Sequence, residues 1–137
     1  MARFKNIFII LIIAMIFPSC EYLFPSLSGD KITVEEAYNY LKKHHGDEDV
    51  VLLDVRTKEE YNQIHLEGAV LMDYTNTAFP EEIEKLDREK TYIIYSKNDK
   101  WSANTFELMN ELNFQNVHYI LGGIEEWQRQ NLPTKFE

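Results

Sequence analysis

From Lys31 onward, short apolar runs alternate with stretches that open on helix-starting signals, and this restricts the fold more than any other feature. Residues 50–53, 69–72, 91–95 (TYIIY) and 117–121 are apolar runs of strand length. An unbroken apolar run marks a strand covered on both faces, as in a parallel sheet between helices. Thr33-Val34-Glu35-Glu36 and Thr57-Lys58-Glu59-Glu60 are capping boxes. In each, the threonine hydroxyl accepts from the third helical N–H and the last glutamate reaches back. The first predicts a helix to about residue 43, with Ala37, Tyr38 and Leu41 on one face. Pro80 with acids behind it suits the first turn of another helix. Residues 101–112 read as helical, with Phe106, Leu108, Met109 and Leu112 toward the core. Gly122-Gly123 ends the last strand, and residues 124–130 form a final helix that Pro133 follows. Strand–helix alternation predicts an α/β fold, a single domain with a small, mostly parallel sheet. Right-handed crossovers place helices on both faces.

The N-terminus reads as a targeting segment instead. Arg3 and Lys5 precede eleven apolar residues, 7–17, and then Pro18-Ser19-Cys20. A basic head, an apolar centre and small residues at the end make a secretory signal. The apolar run falls well short of the ~20 residues a membrane span needs. The pattern is similar to a bacterial lipoprotein signal, which implies cleavage before Cys20 and a lipid on its sulfur. The expected organisation is therefore a signal peptide over 1–19, a lipidated cysteine and tether over 20–30, and one domain over 31–137. The tether, EYLFPSLSGD, has Pro25, Gly29 and no sustained period. The expected location is outside the cytoplasm, on the periplasmic side or at the cell surface, with the membrane as a partner through Cys20.

Cys20 is the only cysteine, so no internal disulfide can form. Loss of residues 1–19 would lower the basic side chains from 14 to 12 against 23 acids, taking the net charge from −9 to −11. That sign disfavours nucleic acid as a partner. His44-His45-Gly46-Asp47-Glu48-Asp49 contains metal-capable side chains. Adjacent histidines diverge on most backbones, so this segment is expected to be a solvated acidic loop, without a metal.

Three motifs, in order, carry a resemblance. They are Asp54-Val55-Arg56 with Glu59-Glu60-Tyr61, then Ile64-His65-Leu66-Glu67-Gly68-Ala69, then Leu121-Gly122-Gly123-Ile124 with Trp127. Together they resemble a rhodanese-like domain, over roughly residues 31–133. The resemblance implies a small parallel sheet with helices on both sides, and no cofactor. Each motif also has a structural reading. Asp54 and Arg56 form an ion pair across a turn, and His65 anchors a loop. Gly68, Gly122 and Gly123 supply backbone freedom, and Trp127 fills the core.

In the family, sulfur transfer belongs to the loop after the third buried strand, here residues 91–95. A cysteine there sits among converging backbone N–H groups at a helix N-terminus, which favours its thiolate. Here the loop is Ser96-Lys97-Asn98-Asp99-Lys100-Trp101, followed by Ser102. The resemblance puts Ser96 at the nucleophile position. Asp99 falls where the family often has Gly, and Trp101 where many members have Arg. A hydroxyl carries no transferable sulfur and needs a positioned base to act as a nucleophile. The Asp99 carboxylate is expected to oppose an anion, while its backbone tolerates a left-handed turn. Lys97 and Lys100 could restore some positive charge. The expected function is a membrane-anchored domain without sulfurtransferase activity that binds a protein or a small anionic ligand. The alternatives are residual sulfur transfer to an external thiol and a Ser96-centred hydrolase or phosphatase.

Overall fold

The computed structural model describes Leu27 and residues 30–135. The signal-like segment, Cys20 and all of the tether except Leu27 and Asp30 lie outside the described residues. In chain order the elements are β1 (Lys31–Ile32), α1 (Val34–Lys43), β2 (Val50–Asp54), α2 (Lys58–Gln63) and β3 (Val70–Leu71). They continue with α3 (Phe79–Glu84), β4 (Thr91–Tyr95), α4 (Lys100–Glu111), β5 (Asn116–Ile120) and α5 (Gly123–Arg129). The sheet order is β1-β5-β4-β2-β3. Every pairing is parallel, so the sheet is parallel throughout.

Both capping boxes form. Thr33 Oγ1 accepts from the Glu36 N–H at 3.2 Å, and the Glu36 carboxylate accepts from the Thr33 N–H at 2.8 Å. Thr57 and Glu60 repeat the pattern at 3.3 and 3.2 Å. α3 starts on Phe79-Pro80, where the missing proline N–H would have had no helical partner.

Side chains alternate along each strand and so divide the core into two layers. Leu52, Ile93, Tyr95 and Ile120 face α1 and α5, where they meet Ala37, Leu41, Ile124 and Trp127. Leu53, Tyr92, Ile94, Val117 and Tyr119 face the other way, onto Phe79, Ile83 and Met109 of α3 and α4. Full burial of each large side chain contributes about 1.5–3 kcal/mol. The strands are apolar on both faces because each face supports its own helical layer. Among the described residues, no helix is long and apolar enough to cross a membrane.

Candidate functional site

The chain leaves β2 toward β3 in one direction and leaves β4 toward β5 in the other. The switch point lies between β2 and β4, which pair along their full lengths, with Asp54 opposite Tyr95. In open parallel sheets the crevice at the carboxyl ends of such strands is where ligands bind. Two segments flank it here, 54–56 after β2 and 96–101 after β4.

After β2, Asp54 and Arg56 are both buried. Arg56 Nε donates to the Asp54 carboxylate at 2.9 and 3.2 Å, and its Nη2 donates at 2.5 Å. The same Nη2 also donates to the Ile64 carbonyl at 2.7 Å, tying the turn to the segment after α2. Burial works against the guanidinium charge, but the Asp54 hydrogen bonds and charge outweigh it and hold the Arg56 pKa above its ordinary value. The guanidinium lies 5.5 Å from the centre of the Tyr95 ring. Burial, reinforced by Asp54, pushes the Tyr95 phenol well above its ordinary range. Its oxygen accepts from the Leu66 N–H at 3.1 Å.

After β4, Ser96 is fully buried. Its hydroxyl donates to the Asn98 carbonyl and accepts from the Ser102 N–H at 3.3 Å. Ser102 Oγ lies 3.1 Å away. The carbonyls of the loop turn toward α5. Ser96 O accepts from the Ile124 N–H at 2.9 Å, and Lys97 O accepts from the Glu125 N–H at 3.2 Å. These bonds occupy N–H groups of the first turn of α5, which would otherwise lack helical partners. The loop closes so tightly that Gly123, at φ 56°, has no room for a side chain. A Cβ there would stand 2.9 Å from Lys97 O and 3.0 Å from Asn98 O, and closer still to Ser96 O.

Asp99 sits differently from the sequence expectation. Asp99 has right-handed backbone, φ −86°, so no left-handed turn is used. Its carboxylate accepts from the Gly122 N–H at 2.5 Å and so serves α5 directly. The Trp101 ring lies 4.3 Å from the Tyr74 ring and packs into the α3–α4 layer. Lys100 Nζ sits 4.7 Å over the Trp101 ring, and Lys97 pairs with Glu125 at 3.7 Å. Asn98 Oδ1 accepts from the Lys100 N–H at 3.2 Å. A shallow cavity of about 280 Å³ runs between the two segments, lined by Arg56, Ile64, Lys97 and Ile124 together with the acidic Glu60 and Glu125.

The other motif residues frame this end of the sheet or the core. His65 is exposed, stacks on Tyr61 at 3.9 Å, and has Nδ1 2.9 Å from the Tyr61 carbonyl. Gly68 takes φ 73° in the turn before β3. Trp127 is fully buried, and its indole N–H donates to the Pro133 carbonyl at 3.1 Å. His44 lies 3.3 Å from Asp47 and stacks on Tyr40. Among the described residues, no group of three His, Cys, Asp or Glu side chains is placed to hold a metal. Sequence reading missed the Asp99–Gly122 and Tyr95–Leu66 bonds. Each joins residues more than twenty positions apart, and no local pattern signals them.

Residues 37–130 match the family described as rhodanese-like domain. Thiosulfate sulfurtransferase GlpE of Actinobacillus succinogenes is 30% identical over 105 residues, covering 77% of this chain and 89% of that protein. GlpE of Coxiella burnetii is 29% identical over 99 residues, 72% of this chain and 86% of that protein. A probable adenylyltransferase/sulfurtransferase of Mycobacterium tuberculosis, MoeZ, is 28% identical over 77% of this chain, which spans only 26% of that protein's length. Among solved structures, a rhodanese-related protein from Thermoplasma volcanium matches with a TM-score of 0.65 at 22% identity, over 77% of this chain and 96% of that one. At that identity the likeness is one of fold. The family match runs from the first turn of α1 to the end of α5, on the fold of known rhodanese-like domains, and the chain belongs to the rhodanese-like domain family.

Proposed function

We propose that the chain is an exported, lipid-anchored rhodanese-like domain that does not transfer sulfur and works by binding. The observation that carries this reading is the state of Ser96. It stands at the end of β4, at the switch point, in the place the resemblance gives to the sulfur-carrying cysteine. Its hydroxyl is buried and engaged within its own loop. Sulfur transfer needs a thiolate to carry the sulfur atom, and Cys20 is the chain's only thiol. On Cys20 a lipid would convert that thiol to a thioether. The relatives named as thiosulfate sulfurtransferases are the reason to retain residual sulfur transfer as the second reading. The hydrolase alternative lacks its base, because no imidazole or carboxylate bonds to Ser96 among the described residues.

The binding surface in this reading is the cavity beside Arg56 and Lys97, and the ligand is a protein segment or a small anion. Arg56 is already paired with Asp54, and Lys97 with Glu125. An anion there competes with carboxylates, which favours a partner that brings several contacts of its own.

Purified chain assayed with thiosulfate or mercaptopyruvate as donor and cyanide as acceptor is expected to form no thiocyanate above background. Clear turnover would overturn the proposal. The S96C/D99G/W101R variant is expected to gain measurable transfer if only the loop chemistry was lost. Metabolic labelling with a fatty acid tests the anchor, since C20A is expected to lose the label. A label retained by C20A would sink the lipoprotein reading.

A further inference from the structure

A second cleft opens between α4 and the segment that leads into α3, with a volume of about 380 Å³. It shares no lining residue with the cavity beside Ser96. A volume of this size lies at the lower end of the range for small-ligand sites, enough for one or two six-membered rings. Tyr74 and Pro80 supply the apolar wall, Leu108 adds to it from α4, and Phe79 lies buried behind them. The wall is held in place: the Tyr74 ring packs at a tilt against the buried Phe79 ring at 5.0 Å and against the Trp101 ring at 4.3 Å.

The polar side of the cleft is Asn76, Thr77 and Asn104. Asn76 Oδ1 accepts from the Ala78 N–H at 3.0 Å, which fixes the amide and leaves its NH₂ without a partner among the described residues. Asn104 Nδ2 donates to the Tyr74 hydroxyl at 3.4 Å, which leaves the Asn104 Oδ1 and the Tyr74 proton without a partner among the described residues. The Thr77 hydroxyl has no hydrogen-bond partner among the described residues. The cleft therefore presents donors and acceptors together, beside an aromatic face. No charged side chain lines it, in a chain where 27% of residues are charged.

We propose that this cleft is a binding site for a neutral saccharide unit. A sugar ring offers an apolar C–H face for the Tyr74–Pro80 wall and a rim of hydroxyls. Each hydroxyl both donates and accepts, which answers the mixed set on Asn76, Thr77, Asn104 and Tyr74. A charged ligand would find no counter-ion there and would lose hydration without return. An extended peptide calls for a groove several residues long, whereas this cleft is lined only by the short stretches 74–80 and 104–108.

The test is an amide NMR titration of the full chain in a non-glycosidic detergent, with glucose, galactose, N-acetylglucosamine and maltose as separate probes. Saturable shifts at Thr77 and Asn104 are expected with at least one of them. T77V and N104A each remove one exposed polar group. They are expected to weaken that binding by about three- to tenfold with unchanged melting temperature, the effect of one lost hydrogen bond. The proposal is overturned if no probe produces saturable shifts, if the shifts fall at the Ser96 loop, or if both variants bind like the parent. It is also overturned if a proline-rich peptide produces the same shifts while all four sugars fail. Sulfur transfer at the Ser96 loop has no bearing on any of these outcomes.

Discussion

Asp54 and Arg56 are charged side chains with almost no contact with water, and each depends on the other. The pair also holds the Ile64 carbonyl through Arg56. Removing one partner leaves an uncompensated buried charge, at a cost of about 3–5 kcal/mol. Arg56→Met is therefore expected to lower stability by that amount in urea unfolding at neutral pH. Replacing both residues by apolar ones is expected to recover much of the loss. A loss below about 1 kcal/mol in the single variant would put the pair with ordinary surface ion pairs, which contribute that little. The motif Asp-x-Arg announced this turn in the sequence, because the two residues are close enough to bond locally. The burial that makes the pair expensive to break was not legible. It depends on β4 and on the segment after α2, which pack around the turn.

The loop after β4 and the helix α5 behave as one element. Three bonds join them: Ile124 to Ser96, Glu125 to Lys97, and Gly122 to Asp99. Gly123 lies at the seam, which gives a clean comparison with Gly68. Both have positive φ, but a Cβ at Gly68 meets nothing within 4 Å, while one at Gly123 runs into three carbonyls. Gly68→Ala is expected to cost about 1–2 kcal/mol, from the left-handed backbone alone. Gly123→Ala is expected to cost clearly more and to move the amide resonances of residues 96–99. Equal costs for the two variants would show that the seam tolerates a side chain. At this scale the sequence was readable wherever a signal is local. The two capping boxes start α1 and α2 at the residues they mark, and the TYIIY run is β4 from end to end. β1 went unread because two residues with a single apolar side chain carry no period. Its pairing with β5 comes from the packing of the whole sheet.

Across the whole molecule, one sheet supports two separate hydrophobic layers, and each has its own tryptophan. Trp127 lies in the α1–α5 layer, and Trp101 packs against the α3–α4 layer. Because every long strand contributes to both, the layers are expected to unfold together. Single-tryptophan variants W101F and W127F, followed by fluorescence in urea, are expected to give coincident transitions. Two separated midpoints would mean that one face melts alone. Alternation of strand and helix was enough to expect this class of fold, but the order β1-β5-β4-β2-β3 had no signature in the chain. The all-parallel arrangement also gives the molecule a direction. The backbone enters the sheet at the amino end of β1, while the Arg56 and Ser96 segments leave from the carboxyl ends of β2 and β4. On the lipid-anchored reading proposed above, the crevice lies at the end of the sheet opposite the one where the chain enters. The Arg56 and Ser96 segments then stand away from the anchor, open to a partner approaching from the other side.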